Sequence, residues 1–260
     1  LRIVSTAGEL GFSHIQIATN GIRLADKDFA GQAAAAGLHT LYLQFDGVGE
    51  DAYRESRNFP GIWAKKLAAI ENARKTGMKV CLVPTLIKGV TDDQVIPILQ
   101  FAVDNVDVVS GISWQPVSFT GRMSIEDRQR QRYTLGDLAR DLGQWEGVEP
   151  LRDFFPLSLV VPLSNLLEAI TGEPKIRASA HPDCAVGTYF LVSPEGTTYT
   201  FPSVIDVEGM FSDMNRLARD IRSRGRPAGL RDKIRLVGIL KKHWKKDAAP
   251  PGLDVKLFYR

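Results

Sequence analysis

Four short segments of this sequence gather side chains able to hold a polar small molecule. They are Thr19-Asn20-Gly21, Gln44-Phe45-Asp46-Gly47, Pro84-Thr85-Leu86-Ile87-Lys88-Gly89 and Gln115-Pro116-Val117. Each ends an apolar, strand-like stretch and offers hydroxyl, amide or carboxylate groups (Thr19, Asn20, Gln44, Asp46, Thr85, Gln115) of the kind that orient a ligand by hydrogen bonding. Any one Asn-Gly or Asp-Gly pair is an ordinary turn, but four polar endings in succession favour a site. A fifth cluster, His181-Pro182-Asp183-Cys184, sets an imidazole, a carboxylate and a thiol within four residues, a set that can bind a metal, position a substrate or relay a proton. A lone loop histidine is more often structural. His14 and His39 lie at strand starts and His243 in a basic helix, none at metal-ligand spacing. Lys88 is the one lysine near a strand ending, in a loop poorly placed for a buried Schiff base. GxGxxG, P-loop and GxSxG motifs are absent.

The elements that must position these residues follow from periodicity. Alternation predicts strands at Ser13–Thr19 and His39–Phe45, and near-continuous apolar runs predict Lys79–Leu86, buried on both faces, and Val108–Gln115. Helices are expected over Leu24–Ala36, Ile62–Thr76 and Asp92–Asn105, the last opened by Thr91 as its N-cap, with Leu1–Gly11 the tail of another. Strand, turn and helix recurring with short loops is the βαβ pattern, in which ligands meet the carboxyl ends of the strands. It leads to an α/β fold: a partial (β/α) barrel of parallel strands, with a doubly wound sheet as the other option, followed by an α+β region.

Beyond Pro116 the pattern changes. Ser124–Tyr133 is charged, Leu135–Trp145 and Leu163–Ile170 are helical, Pro150–Pro162 is an apolar loop or short strand, and Thr188–Val192 with Thr197–Phe201 predicts a hairpin. Val207–Arg222 and Arg231–Lys246 are expected helices, and Leu253–Phe258 a strand. The expected divisions are 1–122 (barrel part), 123–218 (barrel completion and substrate side) and 219–260 (basic helical segment).

Composition narrows the function. The two cysteines, Cys81 and Cys184, far apart and outside any CxxC, exclude a disulfide framework, a self-contained zinc site and a complete iron–sulfur site within these 260 residues, and no metal ligand is assigned. No apolar run approaches the roughly 18 residues of a membrane span, and Leu1–Leu10 lacks a signal-peptide core. A cytoplasmic protein is expected. The net charge of +3 divides into +9 over residues 219–260 and −6 over the rest. Such an end can meet phosphate or an anionic membrane surface, or be a solvated helix face; it has too few aromatic residues to stack nucleic-acid bases, and no nucleic acid is expected.

The motifs in order, ATNG, QFDG, VPTLIKGVTDD and WQPVSFTGR, resemble the middle and later units of the radical S-adenosylmethionine (radical SAM) barrel. With LYLQFDGV and HPDC before a hairpin, residues 1–215 resemble a narrower group that includes tetraether lipid synthases and methanopterin-biosynthesis methylases. That family holds a [4Fe–4S] cluster with CxxxCxxC and binds the methionine amino group with Gly-Gly-Glu; neither motif occurs here. The expectation is a fragment whose cluster ligands lie outside these residues and which alone is inactive, or else a barrel that has lost its cluster. The resemblance implies S-adenosylmethionine as cofactor, an external electron donor, and hydrogen abstraction from an unactivated carbon of a small-molecule or lipid substrate. It places Thr19 and Asn20 near the cofactor's methionine or ribose end, Gln44 and Asp46 on ribose or carboxylate, Pro84 and Thr85 beside the adenosyl group, and Gln115 and Pro116 at adenine or substrate. His181 and Cys184 fall on the substrate side, Cys184 also as an auxiliary-cluster ligand, although one thiolate alone cannot hold a cluster. No catalytic residue is assigned. Against this reading stand a cluster-free β/α barrel lyase using Lys88, and a non-catalytic module binding anionic partners through its basic end.

Overall fold

A computed structural model describes residues 1–57, 61–120, 123–173, 181, 185–225 and 228–249, which belong to two compact units, Leu1–Trp145 and Glu146–Arg260. The first unit runs α1 (Arg2–Glu9), β1 (Gln16–Thr19), a 3-10 turn (Arg23–Ala25), α2 (Lys27–Ala35), β2 (Thr40–Gln44), α3 (Glu50–Arg57), α4 (Ile62–Thr76), β3 (Lys79–Val83) and β4 (Thr85–Leu86). A second 3-10 turn (Asp92–Gln94) leads into α5 (Val95–Asp104), β5 (Val109–Ile112), β6 (Gln115–Pro116), α6 (Ile125–Gln131) and α7 (Leu135–Leu142).

Strands β1, β2, β3 and β5 form one parallel sheet in that order, each beside the preceding strand of the same sheet. A doubly wound sheet reverses direction at a switch point, whereas this order is that of a β/α barrel wall. Right-handed crossovers then put the helices on one face. The pleat sorts the side chains accordingly. Leu41 and Leu43 of β2 and Val80 and Leu82 of β3 are buried in one core with Ala30 and Ala33 of α2, Ala69, Ile70 and Ala73 of α4, and Ile98 of α5. The small alanines let the helices approach closely. The intervening Tyr42, Gln44, Cys81 and Val83 take the opposite face and are half-buried. The expectation that Lys79–Leu86 is buried on both faces is therefore met on one only. That run is also interrupted at Pro84, which has no N–H to donate, and resumes as β4 paired with β6 in parallel, Thr85 opposite Gln115 and Leu86 opposite Pro116.

The expected Leu24–Ala36 helix is divided at Asp26, whose carboxylate accepts from Phe29 N at 2.7 Å and caps α2. Thr91 precedes the turn before α5 but makes no side-chain cap, its hydroxyl being used elsewhere.

The second unit contains α8 (Pro150–Asp153), β7 (Phe155–Pro156), a 3-10 turn (Leu157–Val160), α9 (Val161–Thr171), β8 (Val186–Gly187), β9 (Phe190–Val192), β10 (Thr198–Thr200), α10 (Phe201–Val204), α11 (Val207–Ser223), α12 (Leu230–His243) and a final 3-10 turn (Lys246–Ala248). The expected hairpin is the antiparallel pair β9 and β10, with Thr198 opposite Val192. Its core gathers Leu166 of α9 with Met210, Met214, Leu217 and Ile221 of α11. The expected strand Leu253–Phe258 lies outside the described residues. No helix among the described residues is long and apolar enough to cross a membrane.

Candidate functional site

The first two strand endings are tied together from behind by a lysine. Lys66 of α4 has no solvent exposure, and its ammonium donates to the Asn20 carbonyl oxygen at 2.6 Å, the Gln44 carbonyl oxygen at 2.5 Å and Gln44 Oε1 at 2.9 Å. A buried ammonium is tolerated because these oxygens replace its water. Asp46, 1% exposed, does the same between β2 and β4: one oxygen accepts from Thr85 N at 3.2 Å and the other from Gln44 Nε2. The tips of β1, β2 and β4 thus form one hydrogen-bonded assembly.

Two glycines make that assembly possible. Gly21 adopts φ +80°, and a Cβ there would come within 2.6 Å of Leu43 Cδ1. At Gly47 a Cβ would come within 2.4 Å of the Ala52 Cβ and 2.8 Å of Gln94 Oε1, which accepts from Val48 N. Thr19 Oγ1 accepts from Gly21 N and Asn20 Oδ1 from Ile22 N, so both side chains shape the first turn.

Beyond β4 the buried Thr91 hydroxyl donates to Thr85 O at 2.7 Å and accepts from Ile87 N at 2.8 Å, folding the loop back on its strand. This is why Thr91 does not cap the following helix. Pro84 is buried, Thr85 and Pro116 are half-buried, and Asn20 and Gln115 are exposed. Lys88 is exposed in this loop.

On the face opposite the helices, Tyr42 donates its hydroxyl proton to Ser113 Oγ, and Gln115 Nε2 lies 2.9 Å from Ser113 Oγ and 3.3 Å from the Tyr42 oxygen. Cys81 stands between Tyr42 and Gly111 in the strand register. Burial pushes its thiol up from the usual value, with a smaller opposing effect of the Ser113 backbone N–H.

Of the residues singled out from sequence, Thr19, Asn20, Gln44, Asp46, Thr85 and Gln115 stand at the ends of neighbouring strands, with Asp46 turned inward. His181 is exposed, and Cys184 lies outside the described residues, as do Pro182 and Asp183. His14 and His39 stack on each other with ring centroids 5.7 Å apart. Among the described residues no three His, Cys, Asp or Glu side chains converge as a metal site. Part of the basic segment is neutralised locally, Arg222 by Glu168, Arg224 by Asp232, Arg235 by Asp220 and Lys242 by Asp213.

Sequence reasoning missed Lys66, Tyr42 and Ser113. The spacing Ile62, Lys66, Ala69, Ile70, Ala73 was the available signal for the first: a lysine on the apolar stripe of a helix needs buried acceptors. For Tyr42 the signal was its alternation with Leu41 and Leu43, which sends the phenol away from the core.

Comparison with known proteins adds an independent line. A family model described as the Radical SAM superfamily matches residues 2–102. The chain is 38% identical over 221 residues to the 7,8-dihydro-6-hydroxymethylpterin dimethyltransferase of Methanocaldococcus jannaschii, covering 84% of this chain and 44% of that protein. It is 27% identical over 143 residues to the GTP 3',8-cyclase of Paracoccus denitrificans, covering 55% of this chain and 40% of that protein. The chain therefore spans less than half the length of these curated relatives. A solved structure of TYW1 with a lysine-pyruvate adduct bound aligns with a TM-score of 0.37 at 17% identity, over 56% of this chain and 45% of that one.

Proposed function

Because this chain belongs to the radical SAM superfamily, we propose that its first unit presents the S-adenosylmethionine-facing strand ends of an enzyme that alkylates a pterin-like heterocycle. The observation that carries the reading is the set of polar endings on neighbouring parallel strands, two of them joined by Lys66 and the first three inside the segment the family model matches. The pterin comes from the dimethyltransferase named above, whose likeness runs through 84% of this chain.

The residues fit a polar nucleoside: an exposed amide at Asn20, a half-buried hydroxyl at Thr85, an exposed amide at Gln115, and proline edges at Pro84 and Pro116. When bound and reduced by one electron from an external donor, S-adenosylmethionine would supply hydrogen-abstracting chemistry toward an unactivated carbon. The chain's part is to bind and orient. Asn20, Thr85 and Gln115 contact the nucleoside, Pro84 and Pro116 border it, and Gln44, Asp46 and Lys66 hold the tips in register.

The described residues do not fit a [4Fe–4S] cluster. Among them Cys81 is a lone half-buried thiol whose pKa burial raises, and such clusters are bound by several thiolates. No step is derived through one. The reading is tested in the complete gene product, reconstituted anaerobically with iron and sulfide and reduced with dithionite. S-adenosylmethionine is expected to yield 5′-deoxyadenosine; no product above a control lacking reductant overturns it.

A further inference from the structure

We propose that the outer face of α12 docks on a bilayer surface carrying anionic lipid, with Leu230 and Ile234 set into the interface and Arg231, Lys233 and Lys241 on the headgroups. The first ground is the way the helix divides. Leu236, Ile239 and Leu240 pack against the core of the second unit, and Asp232 and His243 on the same side are buried. At 3.6 residues per turn the opposite side carries Leu230, Ile234, Gly238 and Lys241, with Val237 and Lys233 along one margin and Arg231 along the other. Leu230 is 75% exposed and Ile234 63%, so bulky aliphatic side chains a turn apart stand in water. Residues of this kind at this spacing ordinarily face a core.

The second ground is charge. Asp232 is the one acid of the helix, and it is turned inward, accepting from Gly229 N and from Arg224. Acids of α11 engage the cations of one flank, Asp220 with Arg235 and Asp213 with Lys242. Arg231, Lys233 and Lys241 are exposed and meet no acid among the described residues. The outer face thus joins an aliphatic stripe to unneutralised cations, the pattern that holds a helix in the plane of an anionic membrane surface. Other anionic partners match less of it. A phosphate backbone engages the cations and leaves Leu230 and Ile234 in water, and Trp244, the aromatic residue that follows the helix, packs against the core instead of offering a base a stacking surface. A stable protein interface needs about 800 Å² on each side, far more than the aliphatic side chains of one convex helix face supply. A bilayer sets no such threshold, because each inserted side chain and each cation adds to the attachment.

The complete gene product is sedimented with vesicles of phosphatidylcholine alone and of equal parts phosphatidylcholine and phosphatidylglycerol. Binding to the anionic vesicles only is expected, weakening as salt is raised. Leu230→Gln combined with Ile234→Gln is expected to weaken it about tenfold or more, and Arg231→Gln combined with Lys241→Gln about fivefold for each charge removed. Lys27→Gln, at an exposed lysine of the first unit, controls for net charge and is expected to bind as the wild type does. The substituted side chains are all exposed, and thermal unfolding of each variant checks that it keeps its fold. A wild type that leaves the anionic vesicles unbound overturns the inference. So does a Leu230→Gln, Ile234→Gln protein that binds as tightly as wild type, because the contact is then purely electrostatic, of the kind a nucleic acid makes. Cleavage of S-adenosylmethionine, measured on the same preparations, tests the proposed function separately, so that either reading can fail alone.

Discussion

The Lys66 ammonium donates to the Gln44 carbonyl oxygen at 2.5 Å and to the same residue's side-chain oxygen at 2.9 Å, from a side chain with no solvent exposure. The same nitrogen reaches the Asn20 carbonyl oxygen at 2.6 Å. One cation on α4 therefore satisfies two backbone groups that leave the sheet at the ends of β1 and β2, where the ladder can no longer do so. The helix packed behind the sheet thereby sets the positions of residues that open on the other end of it.

Replacing Lys66 by methionine keeps much of its volume and removes all three donations. The carbonyl oxygens of Asn20 and Gln44 would lose this buried donor, a loss of about 3 kcal/mol. Urea unfolding followed by circular dichroism checks this. A midpoint unchanged from wild type would mean that the strand ends are held by other contacts.

Gly47 makes a second, steric prediction. An alanine Cβ would meet the Ala52 Cβ at 2.4 Å and Gln94 Oε1 at 2.8 Å, so either α3 moves or Gln94 releases Val48 N. Overpacking of this kind costs about 1–3 kcal/mol. Gly111 is the control, since a Cβ there meets nothing within 4 Å. Gly47→Ala should melt several degrees below wild type and Gly111→Ala close to it; equal melting temperatures would contradict the close approach of α3.

What could be read from sequence was what local chemistry decides. Helix α4 spans Ile62–Thr76 as expected, because its apolar spacing is regular and Gly77, at φ 76°, ends it in a left-handed cap. The polar strand ends were legible as turn-forming residues after apolar runs. Helix α3 was not, because EDAYRESR is nearly all polar. Its place depends on partners distant in sequence: the Glu50 carboxylate accepts from Gly61 N and Trp63 N, and Tyr53 is buried beside the Trp63 ring. Thr91 shows the same limit, since a threonine before two aspartates has the composition of a cap, and only the fold-back onto Thr85 O redirects its hydroxyl. Which of Gln44 and Asp46 faces outward could not be read, because it depends on how far Lys66 and Thr85 N reach.

The last prediction concerns acid stability in the second unit. Asp213 accepts from Lys242 Nζ at 2.6 Å and lies 2.9 Å from His243 Nε2, and these partners, Lys242 foremost, hold its carboxyl at about 2. Asp206, the N-cap of α11, is also lowered, first by the Gly209 N–H and then by His243, whose Nδ1 is 2.9 Å away. A carboxyl depressed in the folded state is stabilising wherever the unfolded chain would also be ionised, above about pH 4, and that stabilisation is lost as pH falls toward 2. The α11–α12 pair should therefore loosen steeply between pH 4 and 2. Asp213→Asn removes the charge at every pH, so its stability deficit against wild type should be full at pH 6 and shrink toward pH 2.5. Urea midpoints for the two proteins at pH 6, 4 and 2.5 measure that gap. A deficit that stays constant across the three would mean that the asparagine is costly for its shape, and that the links from Lys242 and His243 contribute no charge-dependent stability.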